Sequence, residues 1–195
     1  MKIVGIDLAG VEKNPTGFCF LDEKMVIKTS LLFKDEEILK EIEKIKPDVV
    51  AIDAPLALPK GRKSLYKRDK IHFRECDKEL LKMKIKFFPI TLGPMRKLTE
   101  RGIKLKKILE SKKIKTIETY PGAIQDILKI PRKSKGKEKL MAGLKKFGLK
   151  GLNKKMSDHE LDAATCALLG KMYLEGNYIA IGDPEEILMI LPKPI

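Results

Sequence analysis

The sequence predicts an α/β fold centred on a five-stranded mixed sheet of order 3-2-1-4-5 flanked by helices, with a small C-terminal strand pair. Three observations carry that expectation. Three short apolar segments fall within the first 33 residues, joined too closely for crossovers, so they read as an antiparallel meander. Two later strand-like segments, the apolar run 49–52 and the shorter 115–118, each follow a helical pattern, as strands added in parallel do. The chain then reaches a long alanine-rich segment whose small residues would let a helix lie close against a sheet.

Residues 2–7 form a short buried strand ending at Asp7, and Ala9-Gly10 through Pro15-Thr16-Gly17 connects it to a second strand at 18–21. Asp22-Glu23-Lys24 turns the chain into a third strand at 25–33. Asp35 then caps a helix in which Ile38, Leu39, Ile42 and Ile45 recur at helical spacing, and Pro47 stops it. Val49-Val50-Ala51-Ile52 is a continuous apolar run, the mark of a strand covered on both faces, and Asp53 ends it. Residues 54–111 read as an irregular basic and helical insertion within a single domain spanning 1–195, with helices around 73–83 and 96–110. A fifth strand at 115–118 leads through Thr119-Tyr120-Pro121 to a helix at 123–128 and a basic loop at 131–137. Leu140, Leu144 and Phe147 mark the next helix, closed by Gly148. Ser157 with Glu160 three residues on is a capping box that starts the last long helix, and 178–192 reads as two short strands around Gly182-Asp183-Pro184.

A chain of 195 residues is long enough to bury one continuous core. It has no run approaching the roughly eighteen apolar residues that span a bilayer, and its first strand begins at once, so the expectation is a cytoplasmic protein with no membrane partner. Cys19, Cys76 and Cys166 are too scattered for a disulfide framework or a zinc ribbon. His72 and Cys76 could share a helix face, but two ligands do not make a zinc site. The 41 basic and 27 acidic residues give a net charge of +14, which invites an anionic partner. The same lysine-rich composition also suits a chain from a hot environment. Two stretches, 60–70 and 129–139, are asymmetrically basic, whereas 35–46 mixes signs as a solvated helix face does. The expected partner is nucleic acid, and the sequence is compatible with a homodimer.

Asp7, Asp53 and Asp162 each sit among residues that read as core. Burying a lone carboxylate costs several kcal/mol, so such positions call for a cation, a hydrogen-bond cage or an open strand end. Asp158 starts the last helix, with His159 three residues before Asp162 and Asp158 itself four before it. Converging carboxylates are relieved by hard cations, so the expected cofactor is Mg²⁺ or Mn²⁺, held by Asp7, Asp53 and Asp162. Asp158, His159 or Glu118 would complete the shell. Each acid also has a structural reading: a turn at Asp7 or Asp53, a helix-dipole role for Asp158, and a hydrogen-bond partner for the basic loops at Glu118.

Gly5-Ile6-Asp7, Ile52-Asp53-Ala54-Pro55-Leu56, Arg74-Glu75-Cys76-Asp77, Phe88-Pro89, Glu118-Thr119-Tyr120-Pro121, Lys135-Gly136 and Asp158-His159-Glu160-Leu161-Asp162-Ala163 together resemble an uncharacterised family described as predicted nucleases of RNase H-like fold, over nearly the whole chain. The resemblance implies parallel first and fourth strands with Asp7 beside Asp53. The arrangement is also similar to that of the Holliday-junction resolvases, which pair a first-strand Asp and a fourth-strand acid with two ligands on the final helix. Here the fourth-strand acid is Asp rather than Glu.

The resulting expectation is a metal-dependent nuclease that cleaves structured or duplex nucleic acid by a two-metal mechanism, with Asp7, Asp53, Glu118, Asp158 and Asp162 as its catalytic acids. Arg62, Lys63, Lys67, Arg68, Arg96, Lys133 and Lys135 would hold phosphates, and Arg74 and Asp77, from the family motif, would meet the substrate. Few aromatics lie in the basic stretches, so base stacking is not expected there. Two alternatives stand beside it. One is a non-catalytic nucleic-acid-binding or scaffolding module. The other is a phosphotransferase of the actin and Hsp70 type, suggested by Asp7-Leu-Ala-Gly10 with Thr16-Gly17, for which the chain lacks room for a second lobe.

Overall fold

In the computed structural model, which describes residues 1–195, β1 (Ile3–Asp7), β2 (Thr16–Leu21) and β3 (Ile27–Leu32) form the antiparallel meander. β4 (Val49–Asp53) lies parallel to β1, and β5 (Thr116–Thr119) parallel to β4, which gives the expected order 3-2-1-4-5. The C-terminal pair, β6 (Tyr178–Asp183) and β7 (Ile187–Pro192), extends this sheet. β7 meets β5 through Glu118 and Met189, so one seven-stranded sheet runs β3-β2-β1-β4-β5-β7-β6.

Side-chain alternation divides the core into two faces. Ile3, Cys19, Val49, Ala51 and Ile117 pack under α6 (Asp158–Leu174), with α5 (Lys137–Lys146) and α4 (Pro121–Ile127) beyond it. Val4, Ile6, Phe18, Val50 and Ile52 pack on the other face against Ile38 and Ile42 of α1 (Asp35–Ile45) and Leu105 and Leu109 of α3 (Gly93–Ser111). This is why β1 and β4 read as unbroken apolar runs. α6 is buried throughout 161–170 because sheet and helices cover it on both sides, so it has no polar stripe. A third cluster, including Cys76, Leu80 and Met189, joins α2 (Glu75–Lys82) to the C-terminal hairpin. No helix is long and apolar enough to cross a membrane.

Two local expectations are corrected. The N-cap of α1 is Lys34, not Asp35; Glu37 Oε2 reaches back to the Phe33 and Lys34 amides at 2.8 and 3.1 Å. Asp35, the first residue of the helix, instead accepts from Arg101, whose guanidinium also reaches the Ala9 and Phe33 carbonyls and ties the β1–β2 connection to α1. α3 starts at Gly93 rather than near Arg96, because Pro94 falls in the first turn, where a missing amide hydrogen costs no helical bond.

Candidate active site

Asp7 and Asp53 are register partners at the C-terminal ends of the parallel strands β1 and β4. By the two-residue alternation they point to the same face as Ile3, Val49 and Ala51, the face that α6 covers. α6 can approach that face because Gly5 and Gly17 leave the space open. A Cβ on Gly5 would lie 2.1 Å from the Ala163 carbonyl oxygen, and one on Gly17 would lie 2.0 Å from that of His159. The Ser157–Glu160 capping box, with amide-to-carboxylate and amide-to-hydroxyl bonds of 2.7 and 3.2 Å, fixes where the helix begins. His159 Nδ1 therefore lies 2.7 Å from Asp7 Oδ2. One turn on, Asp162 accepts from Lys133 Nζ at 2.7 Å and from Gln125 Nε2 at 3.2 Å, and Gln125 is itself shared with Thr165 at 3.3 Å.

The electrostatics follow from crowding. Burial, then the charges of Asp7 and Asp162, push Asp53 well above the ordinary carboxylate range, with Lys133 pulling the other way. Burial also raises Asp162, against the opposing bond and charge of Lys133. The hydrogen bond to Asp7 holds His159 above its usual 6.5. Burial alone would lower Lys133, but its bond to Asp162 and the surrounding carboxylates outweigh that and raise it. Oxygen donors that repel one another suit a hard divalent cation. With the side chains as they stand, no three His, Cys, Asp or Glu close into a metal-ligand group, and the Lys133 ammonium and the His159 ring engage two of the acids.

These residues open onto a cavity of about 460 Å³ whose lining includes Asp7, Asp53, Asp162, His159, Lys133 and Glu118. Glu118 lies at its margin but is turned away from the aspartates. It pairs in register with Ile52, one residue out of phase with Asp53, whose partner is Thr119. Its Oε2 accepts from Arg74 Nη1 at 2.8 Å and from the Leu56 amide at 2.8 Å. Arg74 also binds Asp77, at 2.9 Å through Nη2, and all three side chains are almost wholly buried. Arg74 and Asp77, expected at the substrate, do line the cavity, with their charges given to each other and to Glu118.

Arg62, expected at phosphates, is buried and donates to the Ser64, Ile71, Leu65 and Lys67 carbonyls of its own loop, which has no regular structure to satisfy them. Lys63, Lys67 and Arg68 are exposed and do not line the cavity; Lys63 lines a separate groove with Tyr66, Lys104 and Lys107. Arg96 donates to the Thr91 carbonyl and sits 5.9 Å from the Tyr66 ring, and Lys135 is exposed outside the cavity. Asp158, at the first position of α6, is exposed and outside it as well.

The sequence reading missed Gln125, which holds Asp162, and the cavity's aromatic wall of Phe87, Phe88 and Tyr120. Gln125 carries no local signal: it is one polar residue in a short helix. Phe88-Pro89 was visible as a motif but not as a neighbour of the acids.

A family profile described as "Protein of unknown function (DUF429)" matches residues 5–187. No curated protein matches the chain. Among solved structures, T. thermophilus RuvC in complex with Holliday junction substrate is similar with a TM-score of 0.56 and 13% identity, over 90% of this chain and 97% of that one. A second Thermus thermophilus RuvC structure gives a TM-score of 0.49 and 14% identity over the same shares. The likeness to the first is one of fold, the RNase H-like fold.

Proposed function

The chain belongs to the family described as "Protein of unknown function (DUF429)", and from that premise we propose that it is a divalent-metal-dependent nuclease acting on structured or duplex nucleic acid. One observation carries the reading: Asp7 and Asp53, adjacent in register, share a cavity with Asp162 at the C-terminal end of the central parallel strands. Ligand sites collect at such strand ends. Asp7, Asp53 and Asp162 would hold Mg²⁺ or Mn²⁺. Bound there, the cation supplies the charge that polarises a phosphodiester and eases deprotonation of water. Lys133 balances Asp162 and, with Ser134 beside it in the lining, offers donors to a phosphate. His159, held by Asp7 and half exposed, can carry a proton at the cavity wall. The RuvC of similar fold is seen with a Holliday junction substrate, which supports nucleic acid as the ligand class.

The test is hydrolysis of end-labelled duplex and junction oligonucleotides with Mg²⁺, Mn²⁺ or EDTA. Cleavage that needs the metal and disappears in Asp53→Asn is expected; cleavage unchanged by EDTA or by that substitution would overturn the reading. A second reading, a non-catalytic nucleic-acid-binding module, is favoured by one observation: Lys133 and His159 already engage the acids. Binding without cleavage under any metal condition would select it.

A further inference from the structure

The acids do not stand on an open surface. The side chains of Asp7 and Asp162 are only 15% and 10% exposed, so a phosphodiester reaching them must enter the cavity. At about 460 Å³ the cavity lies toward the small end of pockets that take compact ligands, roughly 300–1,000 Å³. A continuous duplex cannot follow its phosphate inside.

Much of the remaining lining is apolar and aromatic: Phe87, Phe88, Ile90, Met95, Leu98 and Tyr120. A phosphate backbone has no use for such a wall, whereas a nucleobase, with two π-faces, fits it. Two of the rings are fixed. Phe73 meets Phe87 edge-on at 6.0 Å, and the Tyr120 hydroxyl donates to the Lys86 carbonyl at 2.8 Å. Phe88 is 69% exposed at the same cavity. Leaving such a ring in water forgoes a stabilisation that burial would give.

We propose that the cavity is a pocket for one unstacked nucleotide, its base against Phe87, Phe88 and Tyr120 and its phosphate at Lys133 and Ser134, beside Asp7 and Asp53. The proposal rests on the nuclease reading for its ligand class, and narrows the substrate to strands in which the target nucleotide is single, bulged or extruded from a helix. The sequence did not tie these aromatics to the acids because Phe87 and Phe88 lie between α2 and α3 and Tyr120 between β5 and α4, all outside the two basic stretches.

The experiment is equilibrium binding in EDTA to three oligonucleotides: a fully paired duplex, the same duplex with one bulged nucleotide, and that duplex with the bulge made abasic. The bulged form should bind about 5- to 150-fold tighter than the other two, the range given by stacking one base. Phe88→Ala, a change at an exposed ring, should remove that preference and leave the paired duplex unaffected. Equal binding of all three, no binding of any at low salt, or an equal loss on every duplex in Phe88→Ala would overturn the pocket. Hydrolysis is scored separately with Mn²⁺. A bulge preference without cleavage keeps the pocket and defeats the nuclease reading, while cleavage indifferent to bulge and base does the reverse.

Discussion

Asp53 on β4 is the register partner of Asp7 on β1, and both side chains face α6. Two carboxylates thus share one strand-end position with a third, Asp162, among their charged neighbours. A folded carboxyl whose proton affinity is raised contributes stability that is present below its ordinary value of about 3.8 and lost as pH rises through the raised value. In the metal-free protein this contribution of Asp53 should therefore be lost as pH rises above 4, and Asp53→Asn should remove that part of the pH dependence. The check is the thermal midpoint in EDTA from pH 4 to 8. The variant should match the parent at pH 4 and exceed it at pH 8, at about 2–4 °C per kcal/mol in a chain of this size.

A cation would reverse the same repulsion. Mg²⁺ or Mn²⁺ at about a hundred times its dissociation constant should stabilise the protein by roughly 2.7 kcal/mol. The gain should shrink on acidification, because protons compete for the carboxylates, and vanish in Asp7→Asn. Calorimetric scans with and without metal at pH 5.5 and 8 measure it; a midpoint indifferent to both ions would count against the site.

The close approach of α6 depends on two glycines, so Gly5→Ala should displace the helix. The new Cβ meets backbone at 2.1 Å, and backbone cannot rotate away as a flexible side chain can. Overpacking of this kind costs about 1–3 kcal/mol or more. Gly93→Ala, with nothing within 4 Å of the added Cβ, is the control and should be close to neutral. Denaturant midpoints of the two variants give the comparison, and Gly5→Ala should also lose any metal-induced gain.

What the sequence disclosed and what it hid have physical causes. A carboxylate ending an apolar run announces a strand end, so Asp7 and Asp53 could be read directly, and the capping box at Ser157 located α6. Glu118 also falls at the end of a short strand, yet a one-residue difference in register turns it to the opposite face from Asp53. No pattern within β5 reports that register. The partners of buried arginines are equally invisible: Arg74 meets Glu118, 44 residues away, and Arg62 satisfies carbonyls of an irregular loop. Both look like surface cations until the chain is folded.

The Arg74 network gives a fourth prediction. Arg74→Met would strand Glu118 and Asp77 in the interior without their counter-charge, a loss of about 3–5 kcal/mol when one partner of a buried pair is removed. Adding Glu118→Gln should recover part of that loss, because a neutral amide tolerates burial better than an unpaired carboxylate. Urea denaturation of the two single variants and the double variant yields the coupling. Strictly additive losses would mean that the charges are not acting as a unit.

The last prediction separates a binding surface from a general lysine-rich exterior. Lys63, Lys67 and Arg68 are exposed and lie outside the cavity, so any contribution to nucleic-acid affinity must come from phosphates flanking the nucleotide at the acids. Each phosphate neutralised on duplex DNA adds about −0.9 to the slope of log affinity against log salt. Replacing all three by Ala should flatten that slope by up to roughly three such increments while leaving the preference for a bulged nucleotide intact, because phosphate contacts position a strand without reading its bases. Fluorescence anisotropy from 25 to about 200 mM salt, a range in which several contacts produce large changes in affinity, provides the test. An unchanged slope would assign the 60–70 loop to the solvated exterior and leave the phosphate contacts to basic side chains of the cavity lining such as Lys133 and Arg132.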